Sequence, residues 1–464
     1  MTTTVASQID VAGQVLDLVR AVAGGQAEAE VAVDRQDLAL TRFANSYIHQ
    51  NVADSTTTVR LRLHLDGRTT SGATTLTDTH ALRELVQRTV DACRVCPPDP
   101  GWPGLAPPAP LVGTGNVDEA TANASPADRA MRVRAFVDAA GGLLTAGYCK
   151  TVHWTGAFAN SAGQSVSGGC TAAAMDGIAR TGTSDGVSRL AAVRLADLDG
   201  AVLGARAAAK ARAAQDPVEL PPGRYEVVLE PTAVADVLQC LAMYGFNGKA
   251  VNERRSFVAF GEQQFDPSVT LVDDPLSADA VGLPFDPEGT PKRRLVLVDR
   301  GVTRTVAYDR RTAAEAGTES NGHAMADSAP WGTFPTSIGF VTSGGAKPTE
   351  VEGPATDSAT AALVANVKRG LLVSDNWYTR VLDPRTLVMT GLTRNGVWLI
   401  ENGEVTRPVL NFRFTQSYPQ ALAPGAVLGI GSHPLTQPSS WGLACTMAPA
   451  LHLASWNYTG GASG

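Results

Sequence analysis

DPRTLVMTGLTRNGVWLIENGEVTRPVLNFRFTQS, residues 383–417, holds three short apolar runs at 387–392, 396–400 and 409–414. β-Branched and aromatic residues stand in each run, and glycine and polar residues separate them. The pattern predicts strands, with TGLTRNG at 390–396 as a turn. Outward from this stretch, 224–229, 268–272, 294–298 and 303–308 predict further strands, and helical apolar spacing at 232–244 predicts one helix among them. The Pro-rich DPVELPPG at 216–223 marks a boundary, so the chain divides into an N-terminal domain over 1–215 and a β-rich domain over 216–464.

Upstream, 8–23 has helical spacing (Ile9, Val11, Val15, Leu18, Val19, Val22) and stops at Gly24-Gly25. Residues 28–40 and 46–65 alternate as strands, and an Asp66-Gly67 turn leads to another. A second amphipathic helix at 78–96 is capped by Thr77 or Asp78 and stopped by Pro97-Pro98, after which 97–115 is a Pro- and Gly-rich surface connector. Ser125-Pro126 begins a helix to residue 140, 143–181 predicts several strands with a turn at 160–163, and 196–214 is an alanine-rich helix. The expected fold class is α+β, with helices on a strand meander in an N-terminal α/β domain and a mostly β C-terminal domain.

A net charge of −7 with scattered Lys and Arg leaves no basic footprint for direct nucleic-acid contact. No apolar run reaches the roughly 18 residues of a membrane helix. MTTTVASQID lacks the basic-then-apolar order of a signal peptide, so the expected compartment is the cytoplasm, without membrane attachment. The six cysteines are too sparse for a disulfide scaffold, and Cys93 and Cys96 form a C-x-x-C with no second pair to complete a zinc site.

None of the seven histidines lies within five residues of another, so neither H-E-x-x-H nor H-E-x-x-x-H can be drawn. A metal site would need distant histidines to converge. GTSDG at 182–186 spells G-x-S-x-G, but MDGIART before it is a poor buried strand, and a polar turn is the reading. Asp273-Asp274 and the Asp286/Glu288 pair flank Pro and Gly and read as solvated turns.

Three blocks in order resemble the TldD/PmbA family, also called the modulator of DNA gyrase family, and together span nearly the whole chain. They are LTRFANSYIHQNV at 40–52 with TTTVRLRLHLDGRTTSG at 56–72, YEVVLEPTAV through TAAEAGTESNGHA at 225–324, and 383–417 with Trp377 and Arg380 before it. Metal-binding members of that family carry H-E-x-x-x-H on a helix. Laid without gaps from VVLEP at 227–231, that pattern places Gln239, Cys240 and Tyr244 where the first His, the Glu and the second His would stand. The resemblance therefore implies the metal-free, TldE- or PmbA-like kind of subunit, with no catalytic residue and no cofactor in this chain. The helix becomes a packing element through Ala233, Val234, Val237, Leu238, Leu241 and Ala242. Cys445, in SSWGLACTMAPALHL, falls near the region where metal-binding members supply a Cys ligand and is read as a relic without its histidines.

The function this implies is that of a non-catalytic subunit in a TldD/TldE-type zinc metallopeptidase acting on unfolded or short peptides. The partner is a TldD-like catalytic subunit that holds the zinc in a heterodimer, while this chain completes a chamber wall and helps hold peptide. Asn321, Thr393, Arg394 and Asn395 are the candidate peptide contacts. The alternatives are a homodimeric peptide-binding or regulatory module without proteolysis, and an independent metallopeptidase with a site outside the known motif.

Overall fold

The structure, a computed structural model, describes residues 5–326, 329–344, 347–438 and 445–461. The N-terminal half runs α1 (Val5–Ala23), β1 (Glu28–Ala44), β2 (Tyr47–Leu65), β3 (Arg68–Thr74), α2 (Thr79–Val95), α3 (Glu119–Ala122), α4 (Pro126–Ala139), β4 (Leu144–Asn160), β5 (Ser165–Arg180), β6 (Asp185–Ala192) and α5 (Gly200–Ala213). Its strands form one antiparallel sheet in the order β3-β2-β1-β4-β5-β6. Asn45-Ser46 and Asp66-Gly67, all four at positive φ, make the two-residue turns that match strand twist. Asp78 caps α2, and a Ser125/Asp128 capping box with Pro126 opens α4.

Alternation along the strands gives the sheet two different faces. Val31 and Val33 cluster with Val15 and Val19 of α1 and Leu82 and Val86 of α2. Toward the other end of that face, Phe43, Cys149 and Met175 cluster with Phe136 of α4 and Leu203 of α5. Ala32 and Phe158 turn to the opposite face, where Leu283 and Phe285 from the C-terminal half cover them.

The C-terminal half contributes β7 (Gly223–Leu229), α6 (Pro231–Cys240), β8 (Leu271–Asp273), β9 (Leu295–Asp299), β10 (Val302–Thr303), β11 (Ser337–Phe340), β12 (Arg369–Asp383), β13 (Val388–Glu401), β14 (Glu404–Pro408), β15 (Phe412–Ser417), β16 (Val427–Ile430), β17 (Leu435–Pro438), β18 (Cys445–Ala448) and β19 (Leu451–Gly461). One sheet follows β10-β9-β8-β11-β18-β17. The other follows β12-β7-β19-β15-β13 and closes on itself because β13 also pairs with β12. Helix α6 packs between them, against β12 and β18, and its Ala233, Val234 and Leu238 are wholly buried.

Several segments depart from the sequence expectation. TGLTRNG is no turn: β13 runs straight through it, and Asn395 and Gly396 bulge opposite Ser374 at φ 59° and 125°. The strand expected at 303–308 is confined to Val302–Thr303. Neither β12 nor β19 is marked by the sequence pattern; in β12, Ser374, Asp375 and Asn376 interrupt the apolar run. Beyond Cys240 the helix widens into a π-turn at Leu241–Gly245.

Candidate functional site

A cavity of about 530 Å³ opens between the two halves, with one face of α6 in its wall. Because Val234, Val237 and Leu238 face the core, helical spacing turns Thr232, Asp236, Gln239 and Cys240 toward the cavity. The π-turn then brings Met243 and Tyr244 onto the same wall. Residues five apart on an α-helix stand about 140° apart. The wider turn, closed by Phe246 N–H donating to Leu241 C=O at 2.8 Å, narrows that angle for Gln239 and Tyr244. Asp375 to Arg380 of β12, Gln437 and Pro438 of β17, and Tyr148, Asp176 and Arg189 from the N-terminal sheet complete the wall.

Asp236 is the one charged residue of α6. Its Oδ2 accepts hydrogen bonds from Tyr418 Oη at 2.8 Å and Thr379 Oγ1 at 3.1 Å. Desolvation pushes the carboxyl up to about 6 against the lowering effect of these donors. Asn376 is close enough to add a smaller lowering effect. Yet among the described residues neither its amide nitrogen nor its amide oxygen has a partner in ordinary hydrogen-bond geometry, although the residue is only 6% exposed.

Deeper in the wall, Arg189 bridges Asp176 at 2.9 Å and Asp375 at 3.0 Å, and Asn395 Nδ2 donates to the same Asp375 oxygen. Burial opposes the Arg189 charge, but the two carboxylates outweigh it and raise its pKa. At the mouth, Trp377 and Tyr378 are exposed, with the Arg394 and Arg380 guanidinium groups 4.5 and 4.2 Å from their ring centres.

Zinc, the metal that the resemblance implies for the family's catalytic members, does not fit the side chains of this wall. Gln239 offers a neutral amide. Burial, then Asp236, pushes the Cys240 thiol well above its ordinary range, and burial raises the Tyr244 phenol. A neutral thiol and a neutral phenol are poor ligands. Among the described residues no group of three or more His, Cys, Asp or Glu is placed to hold a metal ion. Cys445 is buried among Val152, Ala172 and Val281, outside the cavity wall, and burial pushes its thiol up to about 11. The preceding residues 439–444 of its motif lie outside the described residues.

The four expected peptide contacts do not line the cavity. Arg394 is exposed and reaches the mouth through Trp377. Thr393 donates to Asn411 Oδ1 and accepts from Phe412 N–H, so its hydroxyl secures β13 against the start of β15. The Asn395 amide is engaged by Asp375. Asn321, 4% exposed, accepts from Tyr308 N–H and donates to Val306 C=O. The expectation for Gln239, Cys240 and Tyr244 is refined: the helix does pack, but through its other face.

Two carboxylate pairs expected in solvated turns are corrected in part. Asp273 is fully buried, 2.7 Å from His323 Nε2, and accepts from Ser337 N–H. Asp286 and Glu288 are buried as well; Asp286 collects the N–H groups of Glu288, Thr290 and Ala324, while Glu288 pairs with Arg62. Sequence reasoning passed over Asp236, Asn376, Thr379 and Tyr418. A single carboxylate inside an otherwise apolar helix was the available signal for Asp236, since burial of a charge demands partners.

The fold has close counterparts among solved structures. TldE from Thermococcus kodakarensis superposes with a TM-score of 0.84 at 19% identity, covering 97% of this chain and 100% of that one. Two proteins described as modulators of DNA gyrase follow. The one from Bacteroides thetaiotaomicron has a TM-score of 0.81 at 19% identity, covering 99% and 100%. The one from Thermotoga maritima has 0.79 at 17%, covering 96% and 100%. In sequence, 101 residues are 35% identical to an uncharacterised protein of Methanocaldococcus jannaschii, a match spanning 21% of this chain and 24% of that relative. Among the described residues no helix is long and apolar enough to cross a membrane. The family model for the PmbA/TldA metallopeptidase C-terminal domain matches residues 222–459, just over half of the sequence, and the chain belongs to this metallopeptidase family, the TldD/PmbA family of the sequence resemblance.

Proposed function

We propose that this chain is the non-catalytic, TldE-like subunit of a TldD/TldE-type zinc metallopeptidase. It pairs with a TldD-like subunit that holds the zinc and cuts unfolded or short peptides. The observation behind this reading is the cavity face of α6 and its π-turn, where Gln239, Cys240 and Tyr244 stand together without a metal ligand or a carboxylate base at the motif positions. Hydrolysis assisted by zinc needs an open coordination site and a group to take a proton from the bound water. This wall supplies neither at those three positions.

The cavity is nonetheless of ligand size, since pockets that bury small ligands run to roughly 300–1,000 Å³. Its role in the assembly is to hold peptide and wall off the chamber. The strand β17, last among the described strands of its sheet, reaches the cavity at Gln437 and Pro438. The six free cysteines accord with work in the reducing cytoplasm.

The zinc content of the chain, purified alone and washed of loosely held metal, tests the proposal. The expected result is well below one equivalent, with no peptide cleavage until a TldD-like homologue is added. One full equivalent, or chelator-sensitive cleavage by the chain alone, would overturn it in favour of an independent peptidase.

A further inference from the structure

We infer that the cavity on α6 captures the amino-terminal end of a peptide, with Asp236 taking the α-ammonium charge and the Asn376 amide engaging the first peptide unit. The inference rests on the peptide-holding reading above and names the chemistry that the cavity selects.

Both hydroxyl donors at Asp236, from Tyr418 and Thr379, fall on Oδ2, and the Asn376 amide, the next donor among the described residues, lies near the carboxylate without reaching ordinary hydrogen-bond geometry. The neighbouring Asn376 is buried on the cavity wall with an acceptor and a donor both unpartnered. Buried polar groups in folded proteins are seldom left in this state, and unmet ones mark places where a missing partner belongs. An α-ammonium group followed by a peptide carbonyl supplies the complement. The ammonium donates to Asp236 Oδ1 and Asn376 Oδ1, and Asn376 Nδ2 donates to the first carbonyl oxygen.

Charge points the same way. Asp176 and Asp375 already share Arg189 as an ion-pair partner. Arg380 is exposed at the mouth, where it lies over Tyr378 and donates to Thr379 C=O. Among the described residues, Asp236 is the carboxylate of this wall without an ion-pair partner. Desolvation lifts its carboxyl to about 6, and an ammonium beside it would favour the ionised form. A lysine side chain offers the same ammonium but no carbonyl beside it, and so would leave Asn376 Nδ2 unmet.

The test is titration of the intact purified chain near neutral pH with three probes, followed by NMR: tetra-alanine amide, its N-acetylated form, and an N-acetylated tetrapeptide amide with lysine at the second position. The free-terminus peptide is expected to bind about tenfold or more tighter than the acetylated one, the scale of a charge-assisted hydrogen bond. Asp236→Asn should shrink that preference to within about twofold, and Asn376→Leu should weaken the free peptide more than the acetylated one. Equal binding of free and acetylated peptides by the unaltered chain overturns the inference while leaving a peptide-holding cavity in place. Binding of the lysine peptide as tight as that of the free-terminus peptide overturns the α-ammonium assignment. Binding of none of the three overturns both readings. The probe comparison uses the unaltered chain, so a variant that fails to fold cannot shield the inference.

Discussion

Glu30 on β1 lies 2.6 Å from Arg62 Nε, and the same guanidinium meets Glu288 at 2.9 Å. Burial dominates at this cluster: it pushes Glu30 up to about 8, opposed by Arg62 and reinforced by Glu288 and Asp286. The folded protein therefore holds a proton that the unfolded chain releases between its ordinary value of 4.5 and about 8, and stability falls as pH rises through that window. Glu30→Gln removes the titration but keeps the shape. Relative to the unaltered protein, its urea midpoint should move in the variant's favour between about pH 5 and about pH 8.5, and a pH-independent difference would rule out this account. At this scale the sequence was only half legible. It marked Asp286 and Glu288 as a pair beside Pro and Gly, but the burial of Glu288 depends on a partner, Arg62, 226 residues away. Asp236, by contrast, could be suspected from its own helix alone.

At the scale of elements, the strongest local signals located what they should. Asp66-Gly67 turns, Ser125-Pro126 starts a helix, and the apolar stripe of α6 enters the core. Two of the misses share a cause: polar residues serving the cavity break the periodicity that announces an element. Ser374, Asp375 and Asn376 disguise β12 as a loop, and the Asn395-Gly396 bulge, which supplies the Asn395 amide to Asp375, imitates a turn. The π-turn is equally silent in sequence, yet it is the device that sets two residues five apart on one wall. Gln239→His combined with Tyr244→His should therefore restore two imidazoles to the cavity without restoring a carboxylate at position 240. No chelator-sensitive peptide cleavage is expected from that double variant, even with zinc supplied. Robust cleavage would show that the wall holds a base of its own and would refute the assignment of this helix as inert.

At the scale of the whole molecule, the decisive contacts join residues that no local pattern connects. Val227 pairs with Leu371 on one side and Leu453 on the other, and these long-range pairings close the sheet that supports the cavity. The two halves are locked by charge as well. Lys210 of α5 is 2% exposed and forms an ion pair with Glu230, which is fully buried at the junction of β7 and α6. Lys210 Nζ also donates to Ser374 Oγ at 3.1 Å, and Thr356 Oγ1 donates to the other Glu230 oxygen at 2.7 Å. Burial lowers the Lys210 pKa, with Glu230 opposing it, so each charge is tolerated only because of the other. Lys210→Met leaves a buried carboxylate without its cation and should cost about 3–5 kcal/mol in urea unfolding. Glu230→Gln in the same chain removes the stranded charge while keeping an oxygen for Thr356, so the double variant should be more stable than Lys210→Met alone. Additive losses in that cycle would mean that the two side chains do not stabilise one another and that some other contact locks the halves. A double variant that regains stability would make this pair the pin behind the cavity: Glu230 immediately precedes α6, and Ser374 immediately precedes the cavity residues Asp375 and Asn376.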